Sequence, residues 1–218
     1  MIFNTALTIA VDTAILLALD VSGSMTEEAY ELQRQAVASA MEWEQFQMAA
    51  RTGPIGRIAV AVIQWGDTPH LAIPWTILQF PYEFQEFAKK IDDMPRAENG
   101  STCMAKAMEY SVSYILKQQD IAGRMVVDVS GDGEDNCVRE EKILDTRQIK
   151  EYGVSMNITF NGLPIATSTT NADEFQKLID WYRDNVMGGV GAFVLPTNSP
   201  EAMSKAMRDK LTKEIAWR

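Results

Sequence analysis

The 218-residue chain carries 30 acidic residues against 20 Lys and Arg, a net charge of −10, which should repel nucleic-acid phosphates and anionic membrane surfaces. Its 46% hydrophobic and 23% charged residues are those of an ordinary globular protein, and one core of this size buries roughly 70% of the unfolded chain's surface without help from a disulfide or metal. The apolar run Ala14–Leu19, which no other exceeds in length, is far short of the roughly 20 residues that cross a bilayer, so direct membrane insertion is not expected.

Thr13–Val21 is a continuous apolar run ending at a Ser/Gly turn, which predicts a buried strand; helical spacing over Glu27–Ala50 predicts the helix after it. Arg57–Trp65 predicts a second buried strand, and Leu71–Trp75, interrupted by Pro74, a short antiparallel edge strand. A helix over Tyr82–Asp92, the polar loop PRAENGST and a helix over Cys103–Gln119 lead to a strand, Met125–Ser130, which runs into the turn GDGEDN. A helix over Glu140–Tyr152, a strand Val154–Phe160, a helix Ala172–Asn185, a strand Ala192–Leu195 and a helix Pro200–Ile215 complete the alternation.

Strands that alternate with helices, most of them apolar on both faces, indicate an α/β fold: a doubly wound, mostly parallel sheet with one antiparallel edge strand and helices on both faces. No linker or low-complexity stretch divides the chain, so residues 1–218 are expected to form one domain. Ligands of such sheets sit beyond the carboxyl ends of the strands, which directs attention to the loops after Val21 and Ser130. The tetrapeptide DVSG occurs at both, as Asp20–Gly23 and Asp128–Gly131.

Three loop segments carry hard oxygen donors: Asp20, Ser22 and Ser24 in DVSGS, Thr102 in NGSTC, and Asp132 in SGDGEDN. Carboxylates and hydroxyls in octahedral array suit Mg²⁺ or Mn²⁺ at about 2.1 Å, with Ca²⁺ as the alternative. The alternation Asp-x-Ser-x-Ser lets one tight loop turn several oxygens inward, and Gly23 relieves the bend of a Cβ.

DVSGSM followed by a long helix, a Thr on the next polar loop and an Asp before Gly in a third resembles the metal-ion-dependent adhesion site (MIDAS) of von Willebrand factor A (vWA) and integrin I domains. GRIAVAVIQW, IPWTI, GRMVVDVSGDGEDN, ITFNGLPI and GGVGAFVLP are most similar to a group of uncharacterised bacterial vWA proteins, and the resemblance spans almost the whole chain. It implies that Ser22, Ser24 and Thr102 give hydroxyl oxygens to the metal while Asp20 and Asp132 act through bound water. With neutral hydroxyls nearest, the metal's charge is incompletely neutralised and attracts a carboxylate, so the implied partner is a protein donating an Asp or Glu. The family has a Ser or Thr directly before the third-loop Asp, whereas Gly131 stands here between Ser130 and Asp132; Asp128 and Asp135 are the substitutes for Asp132.

Plainer readings stand beside this one. DVSGS can serve as a strand-to-helix turn with Ser24 or Thr26 as the cap, and Ser101 or Thr102 can cap the following helix. Glu134 and Asp135 lack the EF-hand pattern and are expected to be solvated, His70 is expected at the surface, and the Met and Trp residues are expected in the core. A nucleophile elbow, a phosphate loop and GxGxxG are all missing from the sequence, which argues against an enzyme; the competing readings are a metal-dependent hydrolase with Asp132 as base and a scaffold using the same loops.

Cys103 directly follows Thr102 and Cys137 ends the GDGEDN turn, so loops converging on one metal would bring the two within disulfide reach. A disulfide would indicate a periplasmic or secreted protein. No Lys or Arg precedes Arg34, so the opening residues do not carry the basic start of a secretory signal, and unpaired thiols in the cytoplasm are the alternative.

Overall fold

A computed structural model describes residues 10–97, 100–137, 145–167 and 170–216. Its centre is a five-stranded sheet of order β3-β2-β1-β4-β5, formed by β1 (Val11–Asp20), β2 (Ile58–Trp65), β3 (His70–Leu78), β4 (Ala122–Gly131) and β5 (Ile158–Pro164). All neighbours are parallel except β2 and β3. The helices are α1 (Glu27–Glu42), α2 (Glu44–Ala50), α3 (Pro81–Asp92), α4 (Met104–Ile115), α5 (Thr146–Ser155), α6 (Ala172–Asn185) and α7 (Pro200–Ile215). Among the described residues no helix is long and apolar enough to cross a membrane.

Every residue of β1 and β2 is buried, because each strand is covered on both faces. Ile15, Leu17 and Leu19 pack with residues of α1, α2, α3 and α7, while Leu16 and Ala18 pack with residues of α4, α5 and α6. The period-2 alternation of a strand thus feeds two cores from one apolar run. The α/β, mostly parallel architecture with one antiparallel edge strand is as the sequence predicts.

Several boundaries differ from expectation. The helix over Glu27–Ala50 is broken at Trp43, whose extended backbone (φ −71°, ψ 124°) ends α1 and opens α2; the break brings Phe46 edge-on to Phe84 at 5.8 Å. The edge strand is longer than Leu71–Trp75 and tolerates Pro74 because that residue is exposed and β3 has no outer neighbour among the described residues. His70 is exposed as expected, though it opens β3 rather than lying in a loop.

The helix expected from Glu140 is seen from Thr146, with Asp145 as its cap; residues 138–144 lie outside the described residues. That helix runs on to Ser155, and Asn157 turns the chain in the left-handed region (φ 62°), so β5 begins four residues later than expected. The strand expected over Ala192–Leu195 is a partial one: it touches β5 through the isolated bridge Gly162–Val194, and Ile165 bridges Thr197 just beyond both.

Register decides what meets at the carboxyl edge. Asp20 pairs with Trp65, and Leu19 pairs with Ser130, so β1, β2 and β4 end side by side. The loops they release are DVSGS, the turn at Gly66–Asp67 and the segment after Gly131.

Candidate metal site

Asp20 is the last residue of β1 and is fully buried. Its Oδ1 accepts a 2.7 Å hydrogen bond from the Ser22 amide, folding the loop back on the strand end, and its Oδ2 accepts a longer one, 3.4 Å, from the Asp132 amide. Ser22 is buried and Ser24 exposed, yet their hydroxyls stand 3.2 Å apart, and Ser24 Oγ donates to Asp132 Oδ1 at 2.6 Å. The loop's first and last oxygens are therefore both joined to Asp132. Capping of α1 falls to Thr26, which accepts from the Ala29 amide, leaving Ser24 free of that duty.

Thr102 is buried and is held by the third loop: its amide donates to Asn136 Oδ1 at 2.9 Å, the Asn136 amide donates to the Thr102 carbonyl at 3.0 Å, and its hydroxyl faces Gly133, the residue after Asp132. The Gly23 amide donates to the Gly100 carbonyl at 2.7 Å, which ties the first loop to the second. Asp67, in the turn after β2, accepts from the Ser101 amide at 2.7 Å. Neither Ser101 nor Thr102 caps α4; Cys103 occupies the cap position, and Asp135 Oδ2 accepts from the Ala105 amide at 3.3 Å.

The disulfide Cys103–Cys137, with Cα atoms 5.0 Å apart, joins the second and third loops immediately beside Thr102. Asp67 and the two sulfurs also form the one group of His, Cys, Asp or Glu ligand atoms within 4.8 Å of one another found among the described residues. Sulfurs bonded to each other offer no thiolate, so that trio is a weaker candidate than the oxygen-lined loops.

The intervening Gly131 has a physical reason. A Cβ there would stand 2.5 Å from Asp20 Oδ2, so glycine is what lets β4 pass the Asp20 carboxyl and bring Asp132 to the first loop. Ser130 is turned away from the loops and donates to Gln33 Oε1 at 2.7 Å, while Gln33 Nε2 donates to the Asp20 carbonyl at 3.0 Å. Of the three third-loop carboxylates, Asp132 faces Ser24. Asp128 is buried in β4 against Lys210 of α7, and Asp135, expected to be solvated, instead binds the Ala105 amide and the Thr146 hydroxyl.

Burial, and then the neighbouring Asp132 carboxylate, raise the Asp20 carboxyl from 3.8 to about 7. Burial also raises Asp132, opposed by the Ser24 hydrogen bond and the Arg96 charge. Among the described residues no cationic side chain forms an ion pair with either acid; Asp20 is fully buried and Asp132 half-buried, so the Arg96 charge eases Asp132 while the Asp20 carboxyl has no ion-pair partner. That imbalance, together with the Ser22 and Ser24 hydroxyls beside it, is the chemistry a hard divalent cation would satisfy.

Arg96, Gln33 and Asn136 support the loops and were not singled out in the sequence. Arg96 Nη2 lies 3.3, 3.2 and 2.5 Å from the carbonyls of Val21, Ser22 and Met25, and Nη1 is 2.9 Å from Glu27. A lone Arg in the polar loop PRAENGST was the available signal, but nothing in the sequence tells which carbonyls it reaches.

The fold is that of von Willebrand A-type structures. Proximal thread matrix protein 1 from the mussel byssus, solved with a zinc-occupied MIDAS motif, is 14% identical with TM-score 0.63, over 96% of this chain and 47% of that one. A von Willebrand factor type A protein from Catenulispora acidiphila is 15% identical with TM-score 0.63, over 94% and 43%. The vWF domain of the type V pili tip protein Mfa5 from Porphyromonas gingivalis is 9% identical with TM-score 0.63, over 97% and 98%. The chain spans about half the length of the byssus protein it matches. No curated protein matches the sequence. The family model described as "Protein of unknown function (DUF1194)" matches residues 10–218, and the chain belongs to that family.

Proposed function

We propose that this family member is a noncatalytic, divalent-metal-dependent binding module of the MIDAS type, with residues 1–218 acting as one domain. Ser22, Ser24 and Thr102 would hold Mg²⁺ or Mn²⁺ through their hydroxyls, with Asp20 and Asp132 behind them through water and Ca²⁺ as the alternative ion. The metal would supply a Lewis-acidic position for an Asp or Glu carboxylate of a partner protein. The observation that carries this reading is the Ser24–Asp132–Asp20 linkage around a fully buried carboxyl with no cationic partner among the described residues. The zinc-occupied MIDAS motif of the byssus protein supports a metal in a fold of this type. The pilus proteins among the similar structures support an adhesive role over the hydrolase and scaffold alternatives, and the bacterial vWA proteins that the motifs resemble support a bacterial origin. The disulfide supports a periplasmic or secreted location.

Calorimetric titration of wild type and Asp20→Ala with Mn²⁺ tests the site. Wild type should bind one equivalent and the variant should bind far more weakly; equal affinity would remove Asp20 from the site. Protein partners captured with Mg²⁺ should be released by chelator and lost in Thr102→Ala.

A further inference from the structure

We infer that Arg96 is the positioning residue of the candidate metal site, an inference that rests on the metal-binding reading above. The ladder between β1 and β2 ends at Asp20 and Trp65. Beyond it the DVSGS loop must turn its hydroxyls toward the third loop, which leaves its carbonyls facing away with no strand to receive them. Buried carbonyls without donors are strongly unfavourable; the Ser22 carbonyl also accepts from the Met25 amide at 3.1 Å, and Arg96 Nη2 reaches the carbonyls of Val21, Ser22 and Met25, most closely that of Met25. These bracket both metal-facing serines, so one planar guanidinium fixes the course of the backbone that carries Ser22 and Ser24. The fork lets Nη1 hold Glu27 while Nη2 meets the carbonyls, which the single ammonium point of a Lys cannot do at once.

The guanidinium is itself anchored. Its side chain is 14% exposed, Nη1 pairs with Glu27 of α1, and its carbon sits 5.3 Å from the centre of the Tyr30 ring. The segment bearing it is fastened at three points: Tyr30 Oη donates to the Met94 carbonyl, Gln64 Nε2 to the Pro95 carbonyl, and the Ala97 amide to Gln64 Oε1. The residues just beyond lead into Gly100–Thr102. Arg96 therefore ties the segment Met94–Ala97 to the loop that delivers Ser22 and Ser24, and meets Ser22 at its backbone carbonyl rather than at the proposed ligand hydroxyl. Groups of this kind around metal sites alter affinity by roughly 10–100-fold when removed.

The test is Mn²⁺ affinity by calorimetry for wild type, Arg96→Met, Arg96→Lys and two controls. Arg96→Met should bind Mn²⁺ roughly 10–100-fold more weakly, and Arg96→Lys, which keeps the charge and is the variant expected to remain folded, should recover only part of the loss. Glu27→Gln removes the ion pair and leaves the three carbonyl contacts, so it should stay close to wild type. Arg34→Met removes a comparable set of contacts, to Glu31 and the Ile91 carbonyl, and should lower thermal stability without changing Mn²⁺ affinity, which separates loop positioning from stability alone. If wild type binds and Arg96→Lys matches it, the positioning role is overturned and the metal reading survives. If wild type binds no Mn²⁺, the metal reading falls and this inference falls with it.

Discussion

Gly131→Ala is the substitution that most directly strains the candidate site. Gly131 has no left-handed backbone, so alanine meets no dihedral penalty and the whole effect comes from contact. The new methyl would stand 2.5 Å from Asp20 Oδ2, 3.0 Å from its Cβ and 3.1 Å from its Cγ. Asp20 has little room to retreat, being fully buried and held by the amides of Ser22 and Asp132. Overpacking of this sort costs about 1–3 kcal/mol, and at roughly 2–4 °C per kcal/mol for a domain of this size the melting temperature should fall by roughly 2–12 °C in chelator. Mn²⁺ affinity should fall as well, because Asp20 and Asp132 are pushed apart. Gly133→Ala is the milder comparison: its methyl would meet Thr102 Oγ1 and Cγ2 at 3.3 Å, which a side-chain adjustment can absorb. In an Asp20→Ala background the contacts with Oδ2 and Cγ disappear, so the two substitutions should couple by about 0.5–3 kcal/mol. Thermal melts of the four proteins of this cycle decide it. A Gly131→Ala protein with wild-type stability, or an equal penalty in both backgrounds, would refute the close approach of β4 to Asp20.

The disulfide closes a loop of sequence separation 34, so replacing both cysteines with alanine should lower unfolding free energy by up to about 4 kcal/mol in the chain-entropy model; identical urea midpoints for the two proteins would contradict it. Glu214 is buried in α7 facing Lys210 of its own helix, Asp128 and Arg124 of β4 and the Asn161 amide of β5, and burial followed by the Asp128 charge raises its carboxyl from 4.5 to about 7. A folded-state value above the unfolded one stabilises fully below about 4.5 and loses that contribution as pH rises through about 7. Wild type should therefore lose stability relative to Glu214→Gln between pH 5 and pH 8, followed by urea denaturation in chelator; parallel pH profiles would argue that Glu214 titrates normally.

The parts of this molecule legible in the sequence are those set by local spacing. β1 and β2 read as buried strands because Ala14–Leu19 and Ile58–Ile63 are continuous apolar runs, while the partners of Asp12 and Gln64 lie more than thirty residues away; DVSGS reads as an oxygen-bearing turn because its donors alternate. β5 was misplaced because its buried middle is Asn161–Gly162, which looks like a turn. In the structure Asn161 donates to Glu214 and accepts from the Phe193 amide, and Gly162 makes room for the Tyr182 ring, to which a Cβ would approach within 2.7 Å. Both reasons lie more than ten residues away in the chain. The break at Trp43 was hidden for a similar cause: no Gly or Pro marks it, and its consequence is the packing of Phe46 on Phe84. Of the site, Asp20, Ser22 and Ser24 could be proposed from their spacing, whereas Thr102 and Asp132 gained weight only from order along the chain and family resemblance. Arg96, Gln33 and Asn136 act through backbone groups of distant loops, for which a sequence has no period or motif.

The repeated DVSG shows how one tetrapeptide takes two physical roles through register alone. In the first copy Asp20 ends β1, so its carboxyl faces the loops; in the second Asp128 pairs beside Leu17, three residues before β4 ends, so its carboxyl faces α7. Both acids are buried, and burial raises both. They differ in what answers the charge. Asp128 and Glu214 share the fully buried Lys210, whose ammonium is kept charged by the two carboxylates against the penalty of burial, and the cluster fastens α7 to the sheet. Asp20 and Asp132 have hydroxyls, amides and each other, with no cation of the chain bonded to them among the described residues. A buried carboxylate that the chain answers with its own lysine is a structural device, whose removal destabilises the fold. The fully buried Asp20, joined to the half-buried Asp132 and left without one, is suited to a proton or a cation from solution, and with the Ser22 and Ser24 hydroxyls beside the pair a divalent cation is the occupant proposed above.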